Sequence, residues 1–326
     1  MRAVWYERYG PADAVLTIGE LDVPVPGPGE VLIRVRASGI NPSDVKLRAG
    51  LRPGVTMPFP RIIPHSDGAG VIEDVGPVVD KARIGQRVWV HNAGWERANA
   101  TCAEYVALPA DLTAPLSDEA SFAEGACFGI PAMTAWYALF GDGADLAGQT
   151  VLVTGGAGTV GRYACQMAAL AGARVITTVS SEEKARHSTA EHWIDYRRED
   201  VIAGVNEITK GEGVDRIVDV DFAANQDISL DVLKIGGTIS AYASSSNVEP
   251  ELKFYRFMFR NITLRMLIAY LIPPEVHARG AAQLHTWLEA GALSHAVVPG
   301  GSLADVVAAH ERVESGGKLG TVVLEV

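Results

Sequence analysis

The sequence predicts an α/β protein in two parts: a mostly β domain and a doubly wound, parallel-sheet domain. Three observations carry that prediction. Residues 1–121 are rich in short strand signals broken by Gly and Pro. Residues 122–270 change to apolar strands alternating with helical segments, the pattern of a parallel sheet covered on both faces. The length, 326 residues, is about two domains at roughly 150 residues each.

In chain order, the first part offers "EVLIRVRASGI", "AGVIEDVG", "ARIGQRVWVH" and "AEYVAL" as strands. The alternating part offers "TVLVTG", "ARVITTVS", "HWIDY", "DRIVDVDF", "GGTISAYA" and "NITLRMLI". After Pro273-Pro274 come an apolar-periodic helix through Leu293, a short strand, a second helix and the strand "GTVVLEV". No internal repeat or low-complexity linker interrupts the chain.

Composition narrows the function classes. Hydrophobic residues at 48% and charged residues at 21% describe a globular protein able to fill its cores. The formal charge of −11, with no Lys/Arg run, argues against a nucleic-acid partner, which would need a basic face. The most apolar run, Ile262 to Ile272, includes Arg265 and falls short of the roughly 20 residues that span a bilayer. The opening "MRAVWY" runs straight into strand-like alternation rather than a signal peptide. Cys102, Cys127 and Cys165 are widely spaced, with no Cys-x-x-Cys, so no disulfide framework is expected. These features predict a soluble protein in a reducing, cytoplasmic setting.

The most informative motif follows the first strand of the alternating region. Gly156-Ala157-Gly158-Thr159-Val160-Gly161 fits Gly-x-Gly-x-x-Gly, and Gly155, Gly158 and Gly161 give a wider Gly-x-x-Gly-x-x-Gly. A tight turn needs a residue without Cβ, and the backbone must come close to a pyrophosphate. That anion then rests on the free N–H groups and positive end of the following helix. Glycine-rich turns are common, but this one follows an apolar strand, opens a helix and begins a six-strand alternation. A dinucleotide site is the expectation.

Which dinucleotide depends on the end of the next strand. NAD sites place Asp or Glu there to hold the adenosine ribose hydroxyls. This chain ends that strand in Ser180-Ser181, with the acids two positions later. Ser180 with Glu183 suits a capping box, and Glu182 suits the positive helix end. Small hydroxyls beside Lys184 would accept a phosphate on the ribose, so NADP(H) is the expected cofactor. Lys184 equally suits a solvated helix surface.

From here the whole chain resembles the medium-chain dehydrogenases/reductases. The resemblance is carried in order by "MRAVWYERYG", "SGINPSDVKLRAG", "IPHSDGAGVIEDVG", "IGQRVWV", "GIPAMTAWYAL" and "GGKLGTVVLEV". Within that superfamily it looks like the zinc-free quinone oxidoreductases, the zeta-crystallin-like branch. The family implies a GroES-like, mostly β catalytic domain from both chain ends (1–121 and 271–326). It also implies a Rossmann NADP(H)-binding domain, 122–270, inserted between them.

Zinc-dependent relatives carry a Cys after a Gly-Ile/Val pair, where this chain has Asn41. Their Gly-His-Glu triplet falls on His65-Ser66-Asp67, which puts Ser66 at the metal-binding His. The four-cysteine lobe is absent. Catalytic zinc needs three protein ligands, and they cannot be assembled, so no metal is expected and His65 reads as a hydrogen-bonding or packing residue. Without a Lewis acid, the chemistry left is hydride transfer to an electron-poor acceptor: a quinone or an activated alkene.

The resemblance lines the acceptor pocket with Asn41, Asp44 and Ser66, places Thr134 and the turn around Tyr242 beside the nicotinamide, and sets Tyr196 against the ribose phosphate. Asn41 and Asp44 also suit an Asx turn beside proline, and Tyr242 a strand core. Where relatives often have tyrosines, this chain has Lys46 and Arg52, and Lys46 is a candidate donor to a quinone oxygen. Trp95 suits either stacking on a flat substrate or a half-buried loop. The apolar stretch "FYRFMFRNITLRMLIAYLIPP" and the family's pairing of its last cofactor-domain strand imply a homodimer. An enoyl-thioester or alkenal reductase is the alternative activity, and a non-enzymatic, crystallin-like NADPH binder a further one.

Overall fold

Residues Glu30–Ile40 form β1 because apolar residues face inward while Arg34 and Arg36 reach solvent. From Ala37 onward the strand is buried on both faces. Asn41 ends it, and Pro42–Arg48 follow as helix α1, with proline at the helix start, where its missing N–H costs nothing. Asp67–Val75 form β2, antiparallel to β1, with Asp67 opposite Gly39 and Ile72 opposite Ile33. The structure is a computed structural model and describes residues 1–51 and 56–326. Arg52 lies outside the described residues.

Two compact units are formed, Met1–Ile130 with Ala281–Val326, and Pro131–Gly280. In the second, β3 (Thr150–Thr154) leads into helix α2 (Thr159–Leu170), then β4 (Arg174–Val179) and helix α3 (Glu182–Ser188). Strands β5 (His192–Asp195), β6 (Val214–Asp219), β7 (Leu233–Ala241) and β8 (Thr263–Met266) complete the sheet. All six predicted strands are present. Their order is β5-β4-β3-β6-β7-β8, and every pairing is parallel. Leu152, Ile176, Ile194, Ile217 and Ile239, one from each of five strands, share a single core. Strand order reverses between β3 and β6, and in such sheets ligands bind beyond the carboxyl ends of the strands at that point.

The chain then returns to the first unit. Helix α4 (Val306–Glu314) precedes β9 (Thr321–Glu325), which pairs antiparallel with β1, Leu324 opposite Ser38. One seven-stranded sheet therefore holds strands from both ends of the sequence. Val306 and Val313 of α4 pack with Ile40, Val45, Ile63 and Leu324 in one core. That packing brings the end of β1, the start of α1, the start of β2 and α4 together.

Candidate functional site

The predicted glycine turn sits between β3 and α2. Gly155 has φ 68°, which glycine adopts without strain. Gly155 and Gly156 donate their N–H groups to the hydroxyls of Thr178 and Thr177 on β4, at 3.1 and 3.0 Å. The glycines differ in what a side chain would meet. A Cβ at Gly156 would lie 2.0 Å from the Thr177 hydroxyl, and one at Gly161 only 2.4 Å from the Gly155 carbonyl. A Cβ at Gly158, the N-cap of α2, meets only the Gly155 carbonyl, at 3.3 Å. Gly156 and Gly161 are thus needed by the fold, whereas Gly158 keeps space open at the helix start. Val160 and Gly161 lie in the first turn of α2, whose N–H groups fall outside the helix ladder. Ala157 is buried within the turn and Thr159 begins the helix.

At the end of β4 the structure corrects one expectation. Ser181, not Ser180, caps α3, accepting the Lys184 N–H at 3.3 Å. The helix begins one residue later than a Ser180–Glu183 capping box requires, so its third position is Lys184 and not a carboxylate. Ser180 is buried and accepts a hydrogen bond from Lys184 Nζ at 2.9 Å. Glu182 is engaged by Arg186 at 2.7 Å. Tyr196 is half exposed, and its N–H donates to Val179 O at 3.1 Å, which places it beside the end of β4. Ser180, Lys184 and Tyr196 are therefore neighbours, and β4 ends in no carboxylate. Tyr242 lies just past β7, its N–H held by Asp219 O at 3.1 Å. Burial, with Asp219 and Cys165 nearby, pushes its phenol up.

In the first unit a second polar group is assembled. Asn41 N–H donates to Asp44 at 2.8 Å, and its side-chain amide donates to Asp67 at 2.8 Å. Asp44 also accepts the Ser66 N–H and hydroxyl at 3.2 and 3.3 Å. Both Asp67 oxygens accept the Ile130 N–H at 2.9 Å. Ser66 O accepts from Ala93 N–H at 3.0 Å, so the loop carrying the half-buried Trp95 passes this serine. Lys46 is exposed and lies two residues beyond Asp44 on α1, a spacing that does not share a helix face. Thr134 is buried within the helix Met133–Phe140. His65 bonds Ser38 and His310, in keeping with a hydrogen-bonding residue.

Two family models match: "Alcohol dehydrogenase GroES-like domain" over residues 27–118 and "Zinc-binding dehydrogenase" over residues 159–284. Human quinone oxidoreductase is 30% identical over 329 residues, 99% of this chain and 97% of that protein. The chain belongs to the medium-chain dehydrogenase/reductase superfamily. Its place there is the quinone oxidoreductase branch, with a GroES-like unit and a Rossmann-type unit. A 2-haloacrylate reductase from a Burkholderia species is 30% identical over 335 residues, 99% of this chain and 98% of that protein. The solved structure of a mycobacterial protein complexed with NADPH has a TM-score of 0.85 at 31% identity, covering 100% of both chains.

Burial shifts both carboxyls of this dehydrogenase/reductase in the same direction. Burial pushes Asp44 up to about 6, against the hydrogen bonds from Asn41 and Ser66 that favour its charged form. Burial also raises Asp67 well above the usual carboxylate range, with the Asp44 charge adding to it. A carboxyl raised in the folded state binds more protons folded than unfolded. Asp44 therefore contributes stability that is complete below its usual 3.8 and is lost as pH rises through about 6. The full span is about 3 kcal/mol. Chemical denaturation of wild type and Asp44→Asn from about pH 4 to about pH 7 should show wild type losing stability relative to the variant across that window. Parallel curves would mean that Asp44 is not raised.

The family resemblance groups Asn41, Asp44 and Ser66 but not Asp67, which holds the Asn41 amide. A signal was available, since Asp67 falls on the glutamate of the Gly-His-Glu triplet. His310, Ser38 and Thr101 carried no such signal.

Proposed function

We propose that the chain is an NADPH-dependent quinone reductase that transfers hydride to a quinone without zinc. The observation that carries this reading is the engagement of Asn41 and Ser66. Both stand where zinc-dependent relatives carry metal ligands, and each is bound to a buried carboxyl, Asn41 to Asp67 and Ser66 to Asp44. Among the described residues, no group of three or more His, Cys, Asp or Glu is arranged to hold a metal ion. The space kept at Gly158 fits a pyrophosphate, and the Ser180–Lys184–Tyr196 grouping fits a ribose phosphate better than free hydroxyls.

When bound, NADPH supplies the hydride. The chain's own residues hold the acceptor and manage the proton. Asn41, fixed from both sides by carboxyls, orients the acceptor oxygen. Asp44, raised to about 6, exchanges its proton close to neutrality, and in its protonated fraction it passes that proton from its carboxyl oxygen to the reduced acceptor. One hydride and that proton convert a quinone to a hydroquinone, and water re-protonates Asp44. Lys46, exposed and off the Asp44 face of α1, takes no part in this step.

Purified protein should carry no stoichiometric zinc, and a chelator should leave NADPH-dependent turnover unchanged. Metal analysis finding about one tightly held zinc per chain would sink the account of Asn41 and Ser66. A second reading, reduction of an activated alkene, is favoured by the similarity to a 2-haloacrylate reductase. Steady-state rates with a panel of quinones, an alkenal and a crotonyl thioester separate the two.

The assembly inferred is a homodimer through β8. That strand is an edge of the six-stranded sheet, and Met266 on it and Phe254, Tyr255 and Phe259 just before it are exposed. Light scattering showing a monomer would rule this out. No helix among the described residues is long and apolar enough to cross a membrane, and a cytoplasmic location is part of the same proposal.

A further inference from the structure

His65 occupies the position where the family motif has glycine, and its φ is 78°. That left-handed conformation is unfavourable for a residue with a Cβ, and its persistence at a functional site points to surroundings that enforce it. The surroundings are specific. His65 Nδ1 is 2.9 Å from the Ser38 hydroxyl on β1, and His65 Nε2 is 2.8 Å from His310 Nε2 on α4. The two rings are stacked with centroids 5.0 Å apart. Ser38 bonds Thr101 at 2.9 Å. The Thr101 hydroxyl donates to Asp67 O at 2.6 Å and lies 3.1 Å from His65 O. One continuous chain of side chains, from α4 to Thr101, thus grips the carbonyls on either side of Ser66. Between those two carbonyls, the Ser66 N–H and hydroxyl both face Asp44.

A consistent proton assignment runs His310 Nε2–H to His65 Nε2, His65 Nδ1–H to Ser38, Ser38 to Thr101, and Thr101 to the Asp67 carbonyl. It requires a neutral His65 and a proton on His310 Nε2. Burial disfavours charge on both rings, with the His310 ring opposing charge on His65 and Arg48 opposing charge on His310. Arg48 is itself paired with Glu314 and lies within the fields of Tyr6, Asp13 and Glu311. Among the described residues, Asp67 and Cys102 lie within the field of Asp44.

We propose that the His65–His310 pair is a positioning device: it locks the left-handed turn at His65, aims the Ser66 donors at Asp44, and thereby sets the protonation of the carboxyl that the acceptor site uses. His65 and His310 act through Ser66 and Asp44 without touching the acceptor. The inference rests on the reading of Asn41, Asp44 and Ser66 as the acceptor site, but its test needs no acceptor.

The test is a carboxyl carbon-13 NMR titration of Asp44 in the full chain, the resonance being identified by its loss in Asp44→Asn. Wild type, His65→Gly, His310→Ala and His310→Gln are compared. His65→Gly relaxes the backbone while deleting the ring, so it provides a folded variant even if His310→Ala does not fold. Loosening the Ser66 donors removes bonds to the charged form, so the Asp44 midpoint should rise by about half a unit to one unit in His65→Gly and His310→Ala. His310→Gln, which can still bond His65 Nε2, should return it toward wild type. An Asp44 midpoint unchanged or lowered in His65→Gly overturns the proposal and leaves the pair as core packing, whatever happens to Tm. A failed quinone assay alongside a shifted midpoint would overturn the assigned reaction and leave the positioning role standing.

Discussion

Gly158→Val is expected to abolish NADPH binding while the protein stays folded. The two halves of that result come from different atoms. Within the chain, a Cβ at residue 158 meets only the Gly155 carbonyl at 3.3 Å, a contact that a shift of a few tenths of an ångström relieves. The backbone at residue 158 has φ −71°, which valine adopts without strain. What the branched side chain fills is the space at the start of α2 that backbone and pyrophosphate would share. Gly161→Val is the contrasting case, because its Cβ would lie 2.4 Å from the Gly155 carbonyl and 2.8 Å from the Gly156 backbone. That variant should lose Tm as well as cofactor. Calorimetric titration with NADPH and thermal melts of both variants read the difference. Normal NADPH affinity in Gly158→Val would mean that the cofactor lies elsewhere.

Lys184→Ala should weaken NADPH by about 10- to 100-fold and leave NADH nearly unchanged. A charge-assisted hydrogen bond to a phosphate is worth roughly 1.5–3 kcal/mol, which corresponds to that range. In the structure Lys184 Nζ is 2.9 Å from the Ser180 hydroxyl, so the ammonium already sits over the end of β4. Ser180→Asp should go further, repelling the phosphate and offering acceptors to free ribose hydroxyls, and preference should move toward NADH. The measurement is kcat/KM for both cofactors in wild type and the two variants. If Lys184→Ala weakened both cofactors equally, or if wild type preferred NADH, Lys184 would be a helix-surface lysine and the NADPH assignment would fall.

Much of the second unit was legible because its signals are local. Strand and helix alternate with their own apolar periods, and the glycine turn combines residues adjacent in sequence. The slip at α3 is equally local: two serines in a row both suit an N-cap, and which one leaves the strand is decided by how β4 packs and where its last residue can turn. The first unit divides differently. Asn41, Asp44 and Ser66 could be named from a resemblance, since they lie in short motifs near turns.

Their environment could not be read from the chain. Asp67 gains its role by meeting Asn41, 26 residues away, and Ile130, 63 residues away. His310 meets His65 across 245 residues of sequence, through a helix that returns to the sheet with β9. By itself the sequence determined most of the strand and helix order, the glycine turn between β3 and α2 and the residue types available for hydride chemistry, because each depends on near neighbours and on side-chain chemistry. The tertiary structure alone decided that Asp44 and Asp67 are both buried, that Asp67 holds the Asn41 amide and that His310 meets His65. Burial and hydrogen-bond geometry are properties of the packed whole, and they are what shift a proton's affinity.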